Sequence, residues 1–300
     1  MGAIDLVKER IFEMKLIASD LDGTLLNENS KVSEANVRAI QKALDKGIKF
    51  VVVTGRSYDA AIMPIKEVGL TCPIITLNGA SSFDIDGNVL RDIPMDKVVC
   101  KKVYTACHNG KMYTEFFTNK GLFSFGRDRF IDRMTRWWKT VQPELTDEEI
   151  NQKIEYRFQN ESVQFVEDYD QLEAIDDLKI YKLLSFAEDE DSHEKVFNEL
   201  KDEGGVVITS SGYLNLEFNH PEAKKGLALK ELANSMGIEM KDVMSLGDNL
   251  NDKSMLEMAG RGVAMGNADE EILNLCTFHT KTNEEDGVAY AIEEMLKEYY

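Results

Sequence analysis

The sequence predicts an α/β fold built on a parallel sheet, with an α+β insertion in its middle. Two observations near the amino end point there, and a third near the carboxyl end. The runs "KLIAS" before Asp20, "FVVVT" from Phe50 to Thr54 and "PIITLN" from Pro73 to Asn78 are almost wholly apolar. Such runs mark buried strands of a sheet covered on both faces. Between the first two lies "SEANVRAIQKALDKG", a helical segment, so the order is strand, helix, strand. The same alternation returns beyond residue 225.

Each element has a local reason. Ser33 is placed to cap the first helix, Val37, Ile40 and Leu44 keep helical spacing, and Gly47 ends it. Towards the carboxyl end come a helix from Gly226 to Met236, the strands "DVMSLGD" and "GVAMG", and a last helix through "GVAYAIEEMLKEY". The middle, from Pro94 to Gly212, reads differently. "MYTEFFT" and "LFSF" alternate around the turn "NKG", and amphipathic helices and acidic loops such as "AEDEDSHE" follow. The expected division is therefore residues 14–93 with 213–300 as one domain and 94–212 as an insertion.

Composition narrows the function. With 43% hydrophobic and 30% charged residues, the 300-residue chain reads as a globular protein with a large core. No apolar run reaches the roughly 18 residues of a membrane span, so no membrane partner is expected. "MGAIDLVKERIFEM" lacks the pattern of a secretory leader, and Leu6 stands where a myristoylation site needs Ser or Thr. A formal charge of −19 argues against nucleic acid, whose binding depends on Lys and Arg displacing counterions. Cys72, Cys100, Cys107 and Cys276 form no C-x-x-C pair, which implies a reduced, cytoplasmic setting without disulfides or a zinc ribbon.

Two stretches place paired acids before a glycine: "ASDLDGTLL", Ala18 to Leu26, and "SFDIDGNVL", Ser82 to Leu90. In the second, Phe83 and Ile85 alternate with Asp84 and Asp86, and Asp-Gly sits where a hairpin turn needs it. That copy reads as a solvent-facing hairpin. In the first, the acids follow an apolar strand, which places Asp20 at the strand's carboxyl end. A calcium loop is excluded because Gly23 is fourth where the EF-hand needs its glycine sixth. No G-x-G-x-x-G follows a strand, which excludes the dinucleotide fingerprint. Thr54, Asn78 and Asp248 also end apolar runs, and carboxyl ends of parallel strands line the ligand crevice of an open α/β sheet.

With these residues in place, the sequence resembles the haloacid dehalogenase-like superfamily, and within it the Cof-type phosphatases. "DLDGTLL", "VVVTGRS", "KKGLAL" and "GDNLND" resemble its four motifs in order, and "GVAMGNADEEI" with "TNEEDGVAYAI" is similar to the subfamily's ending. The resemblance runs from Met14 onward. It implies a Rossmann-like core with an inserted α+β cap that sets specificity. It also implies that residues 1–13 are an extension or a misplaced start.

The resemblance implies a phosphatase that hydrolyses a small phosphorylated metabolite, such as a sugar phosphate or phosphorylated cofactor, through an aspartyl-phosphate. Asp20 would be the nucleophile and Asp22 the general acid and base. Mg2+ would be held by the Asp20 carboxylate, the Asp22 main-chain carbonyl and Asp248. Lys225, Thr54, Asn251 and the amides of Leu21 and Gly55 would bind phosphate, and Asp252 would orient the metal's water. Taken singly, these are ordinary turn, cap and loop residues; their joint order carries the reading. The alternatives are a non-catalytic phosphometabolite-binding protein and a phosphomutase. For Arg56 and Asn78 a role confined to their own loops stands beside one at the substrate, and His108, His193, His220 and His279 lack ligand spacing. In "GRDRFIDRMTRWW", four arginines stand beside aromatics, either as a solvated helix face or with one arginine for a second anionic group.

Overall fold

A computed structural model describes residues 14–210 and 214–299. The expectation for residues 1–13 lies outside them. From the amino end come β1 (Leu16–Ser19), α1 (Glu34–Asp45), β2 (Lys49–Val53), α2 (Tyr58–Glu67), β3 (Ile74–Thr76), β4 (Ser81–Phe83) and β5 (Val89–Asp92). Next are α3 (Lys97–Asn109), β6 (Tyr113–Thr118), β7 (Gly121–Phe125), α4 (Arg127–Val141), α5 (Asp147–Asn160), β8 (Val163–Val166) and α6 (Tyr169–Glu173). They lead to β9 (Ile180–Phe186), α7 (Glu190–Leu200), β10 (Val207–Thr209), β11 (Asn215–Asn219), α8 (Lys225–Ser235) and β12 (Val243–Gly247). The chain closes with α9 (Lys253–Met258), β13 (Arg261–Ala264), α10 (Glu270–Leu275), β14 (Phe278–His279) and α11 (Gly287–Tyr299).

The described chain forms two compact units. One takes the residues through Val53, Val68–Pro73 and those from Lys225 on; the other takes Thr54–Glu67 and Ile74–Lys224. In the first, strands run in the order β14-β13-β12-β1-β2, each pair parallel. All four residues of β1 and all five of β12 are buried, as apolar strands covered on both faces must be. The chain leaves β1 for β2 on one side and returns as β12 on the other. Ser19 pairs with Leu246, so the residues that follow β1 and β12 emerge at the same edge of the sheet. That reversal of strand order is where open α/β sheets hold ligands.

In the second unit, β3, β4 and β5 pair antiparallel, and a six-stranded sheet runs β10-β11-β9-β6-β7-β8. Its strands alternate, so Phe116 and Phe117 point to opposite faces. Phe116 packs with Cys100, Val103 and Cys107 of α3 and Val196 of α7. Phe117 packs with Phe130 and Met134 of α4 and Ile150 and Ile154 of α5. The sheet therefore carries helices on both of its faces.

The local expectations hold with three corrections. Ser33 caps α1 by accepting from the Asn36 amide, and Gly47 takes φ +83° just beyond it. The buried face of α1, however, is Asn36, Ala39, Ile40 and Ala43, with Val37 and Leu44 only half-buried at its margin. "PIITLN" yields a strand of three residues, because Leu77 and Asn78 turn left-handed at φ +50° and +57°. "AEDEDSHE" is no acidic loop. Asp189 caps α7 there, and Glu190 and Asp191 occupy its first turn, where the helix dipole favours carboxylates.

Candidate active site

The first unit gathers charged residues where β1 and β12 end. Asp20 follows β1 and is buried, its amide bonded to the Leu246 carbonyl at 3.1 Å. Lys225 opens α8, and its Nζ lies 2.8 Å from Asp20 Oδ1 and 2.6 Å from Asp252 Oδ1. The side chains of Lys225 and Asp252 are both 0% exposed, so this cation is wholly committed inside the site. Asp252 Oδ2 accepts from the Asp248 and Asn249 amides, each at 3.0 Å. Both oxygens of Asp252 are thereby used, and the loop that carries Asp248 is tied down.

Asp248 directly follows β12, and its Oδ1 accepts from the Thr24 hydroxyl at 2.8 Å. Gly23 explains why the turn after β1 fits. It takes φ +74°, and a Cβ there would come within 2.8 Å of Asp248 Cγ. Asn267 donates to the Gly23 carbonyl at 2.8 Å and fixes this turn from a third loop. Gly226 plays the matching part on α8. Its amide donates to Ser254 Oγ at 3.0 Å, and a Cβ there would sit 2.5 Å from the Ser254 carbonyl carbon.

The electrostatics follow from burial and crowding. One carboxylate oxygen each from Asp20, Asp248 and Asp252 lie within 4.8 Å of one another. Burial pushes the Asp20 carboxyl well above the usual range, Asp252 adds to the rise, and Lys225 opposes it. Burial, then Asp252, raises Asp248 to about 7. Burial disfavours the charge on Lys225, but Asp20 and Asp252 more than offset this and hold its pKa above the ordinary value. The set is made of hard oxygen donors whose charges repel, a chemistry that suits a hard divalent cation such as Mg2+. Asp20 Oδ2 and Asp248 Oδ2 remain outside the hydrogen bonds above.

The structure thus brings together Asp20, Lys225, Asp248 and Asp252. Leu21 and Asp22 continue the Asp20 turn, Leu21 buried and Asp22 exposed, with an isolated parallel bridge from Asp22 to Leu26. Asn251 lies on the short 3-10 turn Leu250–Asp252. Thr54 and Gly55 belong to the other unit. There the Thr54 amide donates to the Ile75 carbonyl at 2.8 Å, and its hydroxyl accepts from the Arg56 amide at 3.1 Å. Arg56 reaches the Ala60 carbonyl at 3.4 Å, the loop-holding role weighed for it. Asn78 donates from its amide to the Thr54 carbonyl and from its side chain to Glu217.

The second acidic copy is a hairpin loop. Asp84 bonds the Asp86 and Asn88 amides and the Asn88 side chain, and Gly87 takes φ +83°. Those hydrogen bonds, that to the Asn88 side chain first, hold the Asp84 carboxyl below its usual range. Sequence reasoning missed Thr24 and Ser254. Thr24 had a signal in its place directly after Gly23, whereas Ser254 had none.

Residues 17–292 match the family described as haloacid dehalogenase-like hydrolase. The chain belongs to this family. It is 33% identical over 286 residues to the phosphatase YwpJ of Bacillus subtilis, covering 94% of this chain and 100% of that protein. It is 35% identical over 292 residues to the 5-amino-6-(5-phospho-D-ribitylamino)uracil phosphatase YwtE of the same organism, covering 96% and 100%. A solved haloacid dehalogenase-like hydrolase from B. subtilis superposes with a TM-score of 0.83 at 32% identity, covering 93% of this chain and 99% of that one. The fold is the Rossmann-like core with an α+β cap of haloacid dehalogenase-like phosphatases, and the chain is a phosphatase of that family. Among the described residues, no helix is long and apolar enough to cross a membrane.

Proposed function

We propose that this protein is a Mg2+-dependent phosphatase that cleaves a small phosphorylated metabolite through an aspartyl-phosphate on Asp20. The observation that carries the reading is the buried Asp20–Lys225–Asp252 cluster with Asp248 beside it. The Asp20 and Asp248 carboxylates and the Asp22 main-chain carbonyl would hold the cation. When bound, Mg2+ offsets the repulsion between a carboxylate and an incoming phosphate and keeps both carboxylates ionised.

The chain's own residues supply the rest. Asp20 attacks phosphorus, the bond from phosphorus to the ester oxygen breaks, and Asp22 gives a proton to the departing alkoxide. Asp22 is exposed, which suits a group that exchanges protons with water. It next takes a proton from water, which attacks phosphorus and releases phosphate and the Asp20 carboxylate. Lys225 meets the charge on the phosphoryl oxygens; the Thr54 hydroxyl, the Leu21 and Gly55 amides and Asn251 add neutral donors. Asp252 is a positioning residue that holds Lys225 and the Asp248 loop.

The insertion 94–212 takes the task of choosing the substrate, on a core of 14–93 and 213–300. The relative named for a ribitylamino-uracil phosphate favours a substrate with a polyol chain between its phosphate and its far end. Phosphate release from sugar phosphates, polyol phosphates and phosphorylated cofactors, with Mg2+ and with EDTA, tests the proposal. Release that needs Mg2+, with oxygen from labelled water in the phosphate, supports it. Transfer of phosphate between substrate hydroxyls without that label would show a mutase, and no turnover at all would leave a binding protein.

A further inference from the structure

Helix α4 carries Arg127, Arg129, Arg133 and Arg136 in a chain of formal charge −19. Three have ordinary places. Arg127 lies 5.0 Å from the Phe158 ring centroid, Arg129 is exposed, and Arg136 pairs with Asp132 at 3.0 Å and Glu188 at 3.5 Å. Arg133 differs. It is half-buried, with its guanidinium 4.7 Å from the Phe186 ring centroid. Its Nε is buried with no hydrogen-bond partner, and among the described residues no carboxylate pairs with it. Burial pulls its pKa below the ordinary value, and the Glu188 and Glu115 charges oppose this without contact. A guanidinium partly withdrawn from water and without a carboxylate partner favours an anion brought beside it.

Beside it opens a cavity of about 180 Å³ lined by Arg133, Arg136, Trp137, Thr140, Glu188 and Leu214 among others. Its charge balance selects the ligand. Arg136 is shared between Asp132 and Glu188, which leaves Arg133, among the described residues, as the arginine of this wall without a carboxylate partner. Glu188 in the wall penalises a dianion, so a monoanion fits better than a phosphate monoester. The planar guanidinium fork and the flat Trp137 wall suit a planar acceptor pair.

We propose that this cavity binds a carboxylate-bearing metabolite, with the carboxylate received by Arg133. The carboxylate belongs either to the far end of the phosphorylated substrate or to a separate ligand. The first case rests on the phosphatase reading; the second does not.

Two arms on the full chain test it. Calorimetric titration with gluconate reads binding without turnover. Wild type should bind it, Arg133→Ala should lose at least about tenfold in affinity, as expected for one charge-assisted hydrogen bond, and Arg133→Lys should keep part of it. Steady-state kinetics with Mg2+ compare 6-phosphogluconate with sorbitol 6-phosphate, which lacks the carboxylate. A rise in KM for 6-phosphogluconate alone in Arg133→Ala, with kcat kept, assigns the carboxylate to the substrate. Unchanged KM for both, with gluconate binding lost, assigns it to a separate ligand. Gluconate that fails to bind wild type, or binds Arg133→Ala equally, overturns the proposal. Absent turnover of both phosphates with gluconate binding intact would show that neither is the substrate and would assign the carboxylate to a separate ligand at this site.

Discussion

Lys224 and Lys225 are neighbours in sequence with opposite surroundings. Lys224 is exposed, and Lys225 is enclosed between two carboxylates. Lys225→Ala should abolish turnover and cost about 3 to 5 kcal/mol of stability, because it strands buried Asp20 and Asp252. Lys224→Ala should change little; assays of turnover and denaturant unfolding separate them. Asp20→Asn should likewise end turnover, while Asp84→Asn and Asp86→Asn, in a hairpin loop, stay within a few-fold of wild type. Asp248 adds a pH signature. Its pKa in the metal-free fold is raised to about 7, so the folded state holds this proton more tightly than the unfolded chain does. The stability tied to that proton is present at low pH and lost as pH rises through about 7. Without metal, Asp248→Asn should therefore raise the melting temperature at pH 8 and change it little at pH 5. Mg2+ should bind more weakly below pH 7 as protons compete. A melting temperature for Asp248→Asn that tracks wild type at both pH values would contradict this.

At the scale of elements, α8 is held by a contact that only glycine permits. Gly226→Ala would push the helix from the Ser254 carbonyl and carry Lys225 with it. Overpacking of this kind costs about 1 to 3 kcal/mol, and kcat should fall in addition, since Lys225 must meet both Asp20 and Asp252. Unchanged kcat in a folded Gly226→Ala variant would show that α8 tolerates the shift. The elements most legible in the sequence were those with local signals. Ser33 and Gly47 bracketed α1, and apolar runs marked β1, β2 and β12. The misreadings have physical causes. The acids of "AEDEDSHE" look solvated in one dimension, but Asp189 turns them into the cap and first turn of a helix. "PIITLN" continues as an apolar run, yet left-handed turns at Leu77 and Asn78 end the strand early.

At the scale of the molecule, strand order decides which acidic copy matters. "DLDG" leaves the central β1 of a parallel set where strand order reverses, and "DIDG" sits in a loop between antiparallel β4 and β5. Of the four charged residues of the first site, Asp20 and Asp248 were legible as the ends of apolar runs, and Lys225 and Asp252 only through their places in motifs that resemble the family's. Their mutual contacts were not, since Lys225 meets Asp20 across 205 positions and Thr24 meets Asp248 across 224. The pairing of Arg133 with Phe186 was equally hidden, because helix spacing does not say which arginine faces the sheet. The central claim is that Asp20 takes the phosphoryl group. The most direct measurement is an acid quench during turnover of p-nitrophenyl phosphate with Mg2+, followed by borohydride reduction and peptide sequencing by mass spectrometry. The account predicts homoserine at position 20, the reduction product of an aspartyl-phosphate, and none in Asp20→Asn. Homoserine at position 22 instead, or unmodified aspartate at both positions while phosphate is released, would contradict it.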